Sequence, residues 1–151
     1  MSEPLIFMMG EFEAEFPLDR QYAKNHMWVV DGQRGQFRFG FSSYAVRLLQ
    51  DVYFLDWLID APATIKSGQE IGSIESKKAE SSLYAPAAGQ LTAFNESLME
   101  DPSAINSDKH GEGWLFEMDV ADPQWLSAQA YVELLDDVWA KTQRTIKGQV
   151  Q

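Results

Sequence analysis

The sequence predicts a mostly-β sandwich or flattened barrel, with short helices and an amphipathic helix packed on it at the C-terminus. Three observations predict it. Short apolar or alternating segments recur through residues 21–120, divided by turn residues. After Asp122 the apolar residues switch to three- and four-residue spacing. The chain has 151 residues, 45% hydrophobic and 23% charged, which suits one domain with a real core and argues against wholesale disorder.

Residues 1–20 read as an N-terminal extension without an assignable motif; Glu11, Glu13 and Glu15 alternate there with Phe12 and Phe16. Residues 21–41 read as strands and turns. Trp28-Val29-Val30 is a short apolar run, Asp31-Gly32 is a hairpin-turn signal, and residues 36–41 alternate as a half-buried strand should. Ser42-Ser43 offers an N-cap for a short helix over residues 44–49. Residues 52–58 are β-rich, residues 65–68 turn, and residues 69–74 form a strand. Leu83-Tyr84-Ala85-Pro86 ends the next segment and residues 89–94 begin another. Asn95 offers a cap for a short helix over residues 95–99. Residues 102–113 read as loop, and residues 114–120 as the last strand. Asp122-Pro123 offers an N-cap and first-turn pair. From there Leu126, Tyr131, Leu134, Leu135, Val138 and Trp139 mark one helical stripe across residues 122–145.

Lys plus Arg number 12 against 23 Asp plus Glu, a net charge of -11. That excess repels phosphate backbones and anionic lipid heads, so nucleic acid and membrane surfaces are poor partners and a basic protein is a better one. The absence of cysteine removes disulfides, thiolate metal sites and a thiol nucleophile. Any sulfur chemistry must ride on an attached group. No apolar run is long enough to span a membrane, the first residues lack a secretory pattern, and a cytoplasmic address is the expectation. His26 and His110 are the only histidines and neither has a clear carboxylate partner in the sequence, which gives no support to a metal site or catalytic dyad. The chain is expected to be no enzyme on its own.

Residues 68–89 carry the chemistry. They read as a strand, a polar tip bearing Lys77 and Lys78, and a returning strand closed by Pro86 and Gly89. A lysine on a tight hairpin holds its amine in solvent over a fixed backbone, which is what a swinging-arm carrier requires. Two adjacent lysines can equally be a solvated charge pair at a loop tip.

Glu75-Ser76-Lys77-Lys78-Ala79 resembles the Glu-Ser-x-Lys-Ala hairpin of lipoyl proteins. The wider chain is similar to the H protein family of the glycine cleavage system. The similar pieces run in order: residues 21–28 around His26 and Trp28, Gly40-Phe41-Ser42-Ser43-Tyr44-Ala45, the hairpin, residues 84–91, Asn95-Glu96-Ser97-Leu98, Pro102, Ile105-Asn106-Ser107, and Gly111-Glu112-Gly113-Trp114-Leu115. The resemblance spans most of residues 21–145. It implies a lipoyl/biotinyl-type flattened barrel or sandwich of two antiparallel sheets (a barrel-sandwich hybrid) over residues 21–121, with the helix of residues 122–145 on the same domain. It also implies lipoate as a covalent cofactor, in amide linkage to Lys78, because the modified lysine of the motif directly precedes Ala79. Glu75 and Ser76 then guide the lipoate ligase or lipoyl-transfer enzyme, or simply cap the turn. Gly111 and Gly113 are read as turn glycines, and His110 as a wall of the lipoyl cleft. A biotin carrier is the poorer match, since its Met-Lys-Met tip is missing.

The resemblance also shows where the chain departs. Family members hold an aminomethyl cargo with polar and acidic side chains, and the corresponding positions here are Asn25, Met27, Leu48 and Ser82, beside His26. Met27 and Leu48 cannot hold a protonated amine. The pattern is similar to a relative of the H proteins, the lipoate-binding protein of bacterial sulfur oxidation, which works with a heterodisulfide-reductase-like complex. Sulfur-bearing intermediates on the arm are therefore the first expectation. A genuine glycine cleavage H protein working with glycine cleavage enzymes is the alternative, and an unmodified adaptor the second.

Overall fold

The computed structural model describes residues 3–31 and 36–150, with side chains described to residue 141. All strand pairings are antiparallel. The strands are β1 (Leu5–Met9), β2 (Phe12–Phe16), β3 (Gln21–Ala23), β4 (Met27–Asp31), β5 (Gln36–Phe41), β6 (Val52–Trp57), β7 (Ala63–Ile65), β8 (Glu70–Ser76), β9 (Glu80–Tyr84), β10 (Gly89–Phe94) and β11 (Phe116–Asp119). The helices are α1 (Ser43–Leu49), α2 (Ser97–Glu100), α3 (Ala104–Ser107) and α4 (Ala128–Val150). A six-stranded sheet in the order β3-β4-β5-β11-β10-β7 packs on a three-stranded sheet in the order β6-β8-β9. The mainly-β sandwich with a C-terminal helix is therefore the fold.

Strand β4 shows why its sequence is apolar at successive positions. Met27 and Val29 point into the core between the sheets, whereas Trp28 and Val30 point into a second core on the other side. A strand buried on both faces loses the polar half of its alternation. The second core is closed by the β1–β2 hairpin and α4, around Phe16, Tyr22, Trp28 and Tyr131. Within the N-terminal extension, residues 5–16 thus fold as a hairpin, paired Leu5↔Phe16 to Met9↔Phe12. Gly10, at φ 67, makes its two-residue turn.

Four expectations change, three of them for a tertiary reason. The C-terminal helix begins at Ala128 and not at Asp122-Pro123, because Leu126 is held extended against β3. The Leu126 amide donates to the Tyr22 carbonyl at 2.7 Å, and the Tyr22 amide donates back at 2.8 Å. Ser127 then caps the helix, its Oγ accepting from the Ala130 amide at 3.1 Å. Asn95 does not cap α2: its buried Nδ2 donates to the Glu112 and Trp114 carbonyls, both at 2.8 Å, so distant acceptors win over a local cap. Ala63–Ile65, whose last residue was expected in a turn, forms a strand on β10. Residues 102–113, expected as loop, include the single turn α3. The Asp31-Gly32 turn falls partly outside the described residues. Ser42 caps α1 as expected, accepting from Ala45.

Candidate functional site

Strands β8 and β9 form a hairpin with Lys77 and Lys78 at its tip, both exposed. Ser76 closes the turn against Ala79. The Ser76 amide donates to the Ala79 carbonyl at 2.8 Å, and the Ala79 amide donates to Ser76 Oγ at 3.2 Å. Two further main-chain bonds seat the tip on the end of α1. The Lys77 amide donates to the Asp51 carbonyl at 2.8 Å and the Lys78 amide to the Leu49 carbonyl at 3.4 Å. Asn106 braces that end of α1 from α3: its Nδ2 donates to the Gln50 carbonyl at 2.7 Å, and its Oδ1 accepts from the Val52 amide at 2.9 Å. The backbone beneath Lys78 is tied down while its side chain is exposed.

Beside the tip lies a cleft of about 370 Å³. It brings together Asn25, His26, Met27, Leu48, Ala79 and Ser82 of the sequence-derived set, and adds Phe41, Ala45 and Tyr84. Among the described residues no Asp, Glu, Lys or Arg lines it. Glu75 and Ser76 lie outside it, on the hairpin itself. Met27 is almost fully buried, and Leu48 stands exposed at the rim. Ser82 donates to Glu70 Oε2 at 3.0 Å, which commits its hydroxyl to a carboxylate on β8. Asn25 donates through Nδ2 to the Tyr84 carbonyl at 3.0 Å, and its buried Oδ1 has no partner. An unpartnered acceptor with apolar neighbours fits a neutral, partly apolar arm carrying an N–H better than a bare ammonium.

His26 is held by its surroundings and not by a carboxylate. Its backbone sits at φ 71, its ring packs 4.8 Å from that of Tyr44, and Nδ1 lies 2.8 Å from the Tyr131 hydroxyl. That hydroxyl lies 2.8 Å from Ser42 Oγ, so α4, the cleft and the cap of α1 share one polar chain. Burial lowers the His26 pKa and favours the neutral imidazole. The roles of Tyr131 and Asn106 escaped the sequence reading because each acts at a sequence distance of at least 54 residues.

His110 does not line this cleft, contrary to expectation. It lines a separate polar pocket with Phe12, Arg47 and Lys109, and the loop carrying it is drawn away by Trp28, whose Nε1 donates to the Lys109 carbonyl at 2.8 Å. Gly111 and Gly113 lie in a turn with unremarkable φ. At Gly113 space is the constraint, since a Cβ would come within 2.5 Å of the Ala104 carbonyl oxygen.

The family model described as Glycine cleavage H-protein matches residues 20–138. A glycine cleavage system H protein of Methylacidiphilum infernorum is 40% identical over 126 residues, which cover 80% of this chain and 96% of that protein. One from Cronobacter sakazakii is 35% identical over 125 residues, with the same coverage. The crystal structure of a glycine cleavage system H protein from Mycobacterium marinum superposes with a TM-score of 0.69 at 33% identity, covering 79% of this chain and 98% of that one. The β1–β2 hairpin precedes the matched residues.

Proposed function

The chain belongs to the glycine cleavage H-protein family, whose members carry a covalently attached lipoate on a lysine, and from that premise we propose that Lys78 is the attachment site. One observation carries the reading: Lys78 stands exposed on a tip tied by main-chain bonds to Asp51 and Leu49, next to a cleft with room for an arm. Lys77 stands on the same tip, and Ala79, which the motif places after the modified lysine, is the neighbour of Lys78. A bound lipoyl group supplies two sulfurs that exchange between disulfide, dithiol and mixed adduct. The chain supplies a rigid base, an exposed amine and a place to shelter the arm. It is a carrier that works through other enzymes, and Glu75 and Ser76 present the lysine to the lipoate ligase or lipoyl-transfer enzyme. The relatives favour glycine cleavage enzymes as the partners served, and the bacterial relatives support a cytoplasmic setting.

A second reading rests on the cleft. With no carboxylate in its lining, a protonated amine gains no opposite charge there once water is excluded. Sulfur-bearing cargo needs none, which supports a role beside a heterodisulfide-reductase-like complex in sulfur oxidation.

Two measurements test these readings. Expression with lipoate and a ligase, followed by intact-mass and peptide mass spectrometry, is expected to give a lipoyl adduct on Lys78. The adduct is lost in Lys78→Arg and kept in Lys77→Arg; an adduct confined to Lys77 overturns the assignment to Lys78, and no adduct at all overturns the carrier reading. The lipoylated protein is then added to glycine decarboxylase. Strong stimulation of glycine–carbon dioxide exchange supports glycine cleavage and removes the sulfur reading, and the absence of stimulation by fully lipoylated protein does the reverse.

A further inference from the structure

Strands β6, β8 and β9 carry Asp56, Glu70, Glu75 and Glu80 and not one Lys or Arg. All four carboxylates are exposed. Phe54 stands opposite Glu75, and Glu75 opposite Glu80, all three exposed. Like charges directly across a strand pair destabilise it. Among the described residues neither Glu75 nor Glu80 has an ion pair or side-chain hydrogen bond that would offset the repulsion. A cation from outside the chain would.

Edge strand β6 of the same sheet exposes two aromatic side chains. The register shift between Val52 and Phe54 breaks the alternation of β6, so Tyr53 and Phe54 both face solvent, at 62% and 51% exposure. Exposed aromatics rimmed by charge mark a contact surface more often than a bare one.

We propose that this face, the Tyr53–Phe54 edge with Asp56, Glu70, Glu75 and Glu80, docks the enzyme that attaches lipoate to Lys78, and that this enzyme meets it with a basic surface. The proposal rests on the carrier reading of Lys78. The sheet that would be gripped ends in the tip to be modified, and the tip is tied to α1. A partner seated on the face therefore finds the amine at a set position. The charge of the face repels a second copy of this chain, an anionic membrane and nucleic acid alike.

Unmodified protein is incubated with a lipoate–protein ligase, ATP and lipoate, and kcat and KM are read by intact mass. Tyr53→Ser with Phe54→Ser forms one variant and Asp56→Asn with Glu70→Gln another. Ile6→Ser with Met8→Ser, also exposed apolar residues but on the N-terminal hairpin, is the control. Glu75 and Glu80 stay in place, because changes beside the tip would confuse docking with chemistry. Each test variant is expected to raise KM about tenfold with kcat and thermal midpoint unchanged. The control should match wild type, and added salt should raise the wild-type KM. KM values within about twofold of wild type for both test variants, or a KM indifferent to salt, overturn the docking face while leaving Lys78 as the modified residue. Failure of the wild type to be modified at all strikes the carrier reading, and the docking face with it.

Discussion

The amide of Lys77 donates to the carbonyl of Asp51 at 2.8 Å, across a gap of 26 residues in sequence. The hairpin tip is therefore aimed by the place where the chain leaves α1. Asn106 holds that place, since its side chain satisfies both the Gln50 carbonyl and the Val52 amide.

Asn106→Ala is expected to cost about 1–3 kcal/mol, because it strands two partly buried main-chain groups. A denaturant titration measures the loss. Lipoylation should slow as the tip loses its fixed aim, and Asn106→Asp, which keeps the acceptor for Val52, should recover part of the stability.

Tyr131→Phe removes a hydroxyl placed between His26 Nδ1 and Ser42 Oγ, each 2.8 Å away. The ring remains stacked on Tyr22, at 4.9 Å, so the expected loss is polar only, about 1–3 kcal/mol. A loss far below that in thermal unfolding would mean that water replaces the hydroxyl.

Phe16→Ala empties the middle of the second core, where the ring meets Tyr22 and Tyr131 at 5.9 and 5.4 Å. The expected cost is about 3–5 kcal/mol. Hydrogen exchange should show the loss concentrated in β1, β2 and α4, with the amides of β8 and β9 still protected.

Burial, helped by Arg20 and Lys109, pushes the His110 pKa down to about 4. An unfolded histidine titrates near 6.5, so between those values the unfolded chain binds more protons than the folded one. Stability should therefore fall as pH drops from about 6.5 to about 4. His26, also lowered by burial, acts in the same direction. Thermal midpoints across this window should flatten in His110→Gln; an unaltered slope would assign the effect to other groups.

Much of the site could be read from the sequence because it is local. The motif from Glu75 to Ala79 lies within one hairpin, and its turn residues are adjacent. The fold class was legible for a similar reason, since strand alternation and the helical stripe of Tyr131, Leu135 and Val138 are short-range patterns. What stayed hidden depends on contacts distant in sequence. Leu126 looks like the first member of that stripe, yet its bridge to Tyr22 keeps it extended. The alternation of Phe12, Ala14 and Phe16 with Glu13 and Glu15 is a strand pattern, and Gly10-Glu11 is its turn signal, but a hairpin outside the family's extent had no expected partner to bury its apolar side. The cleft lies between. Its members could be proposed one by one, but only the folded chain brings α1, β4 and the hairpin together around it.

The tip's anchors to α1 are drawn from the peptide backbone at Lys77 and Lys78, and these groups persist whatever side chain residue 77 bears. Mutational drift at that position is thus free to alter surface chemistry without swinging the attachment point away from its target. Proline is the exception, because it deletes the donor itself. A saturation library at residue 77 would then be nearly silent apart from that one substitution.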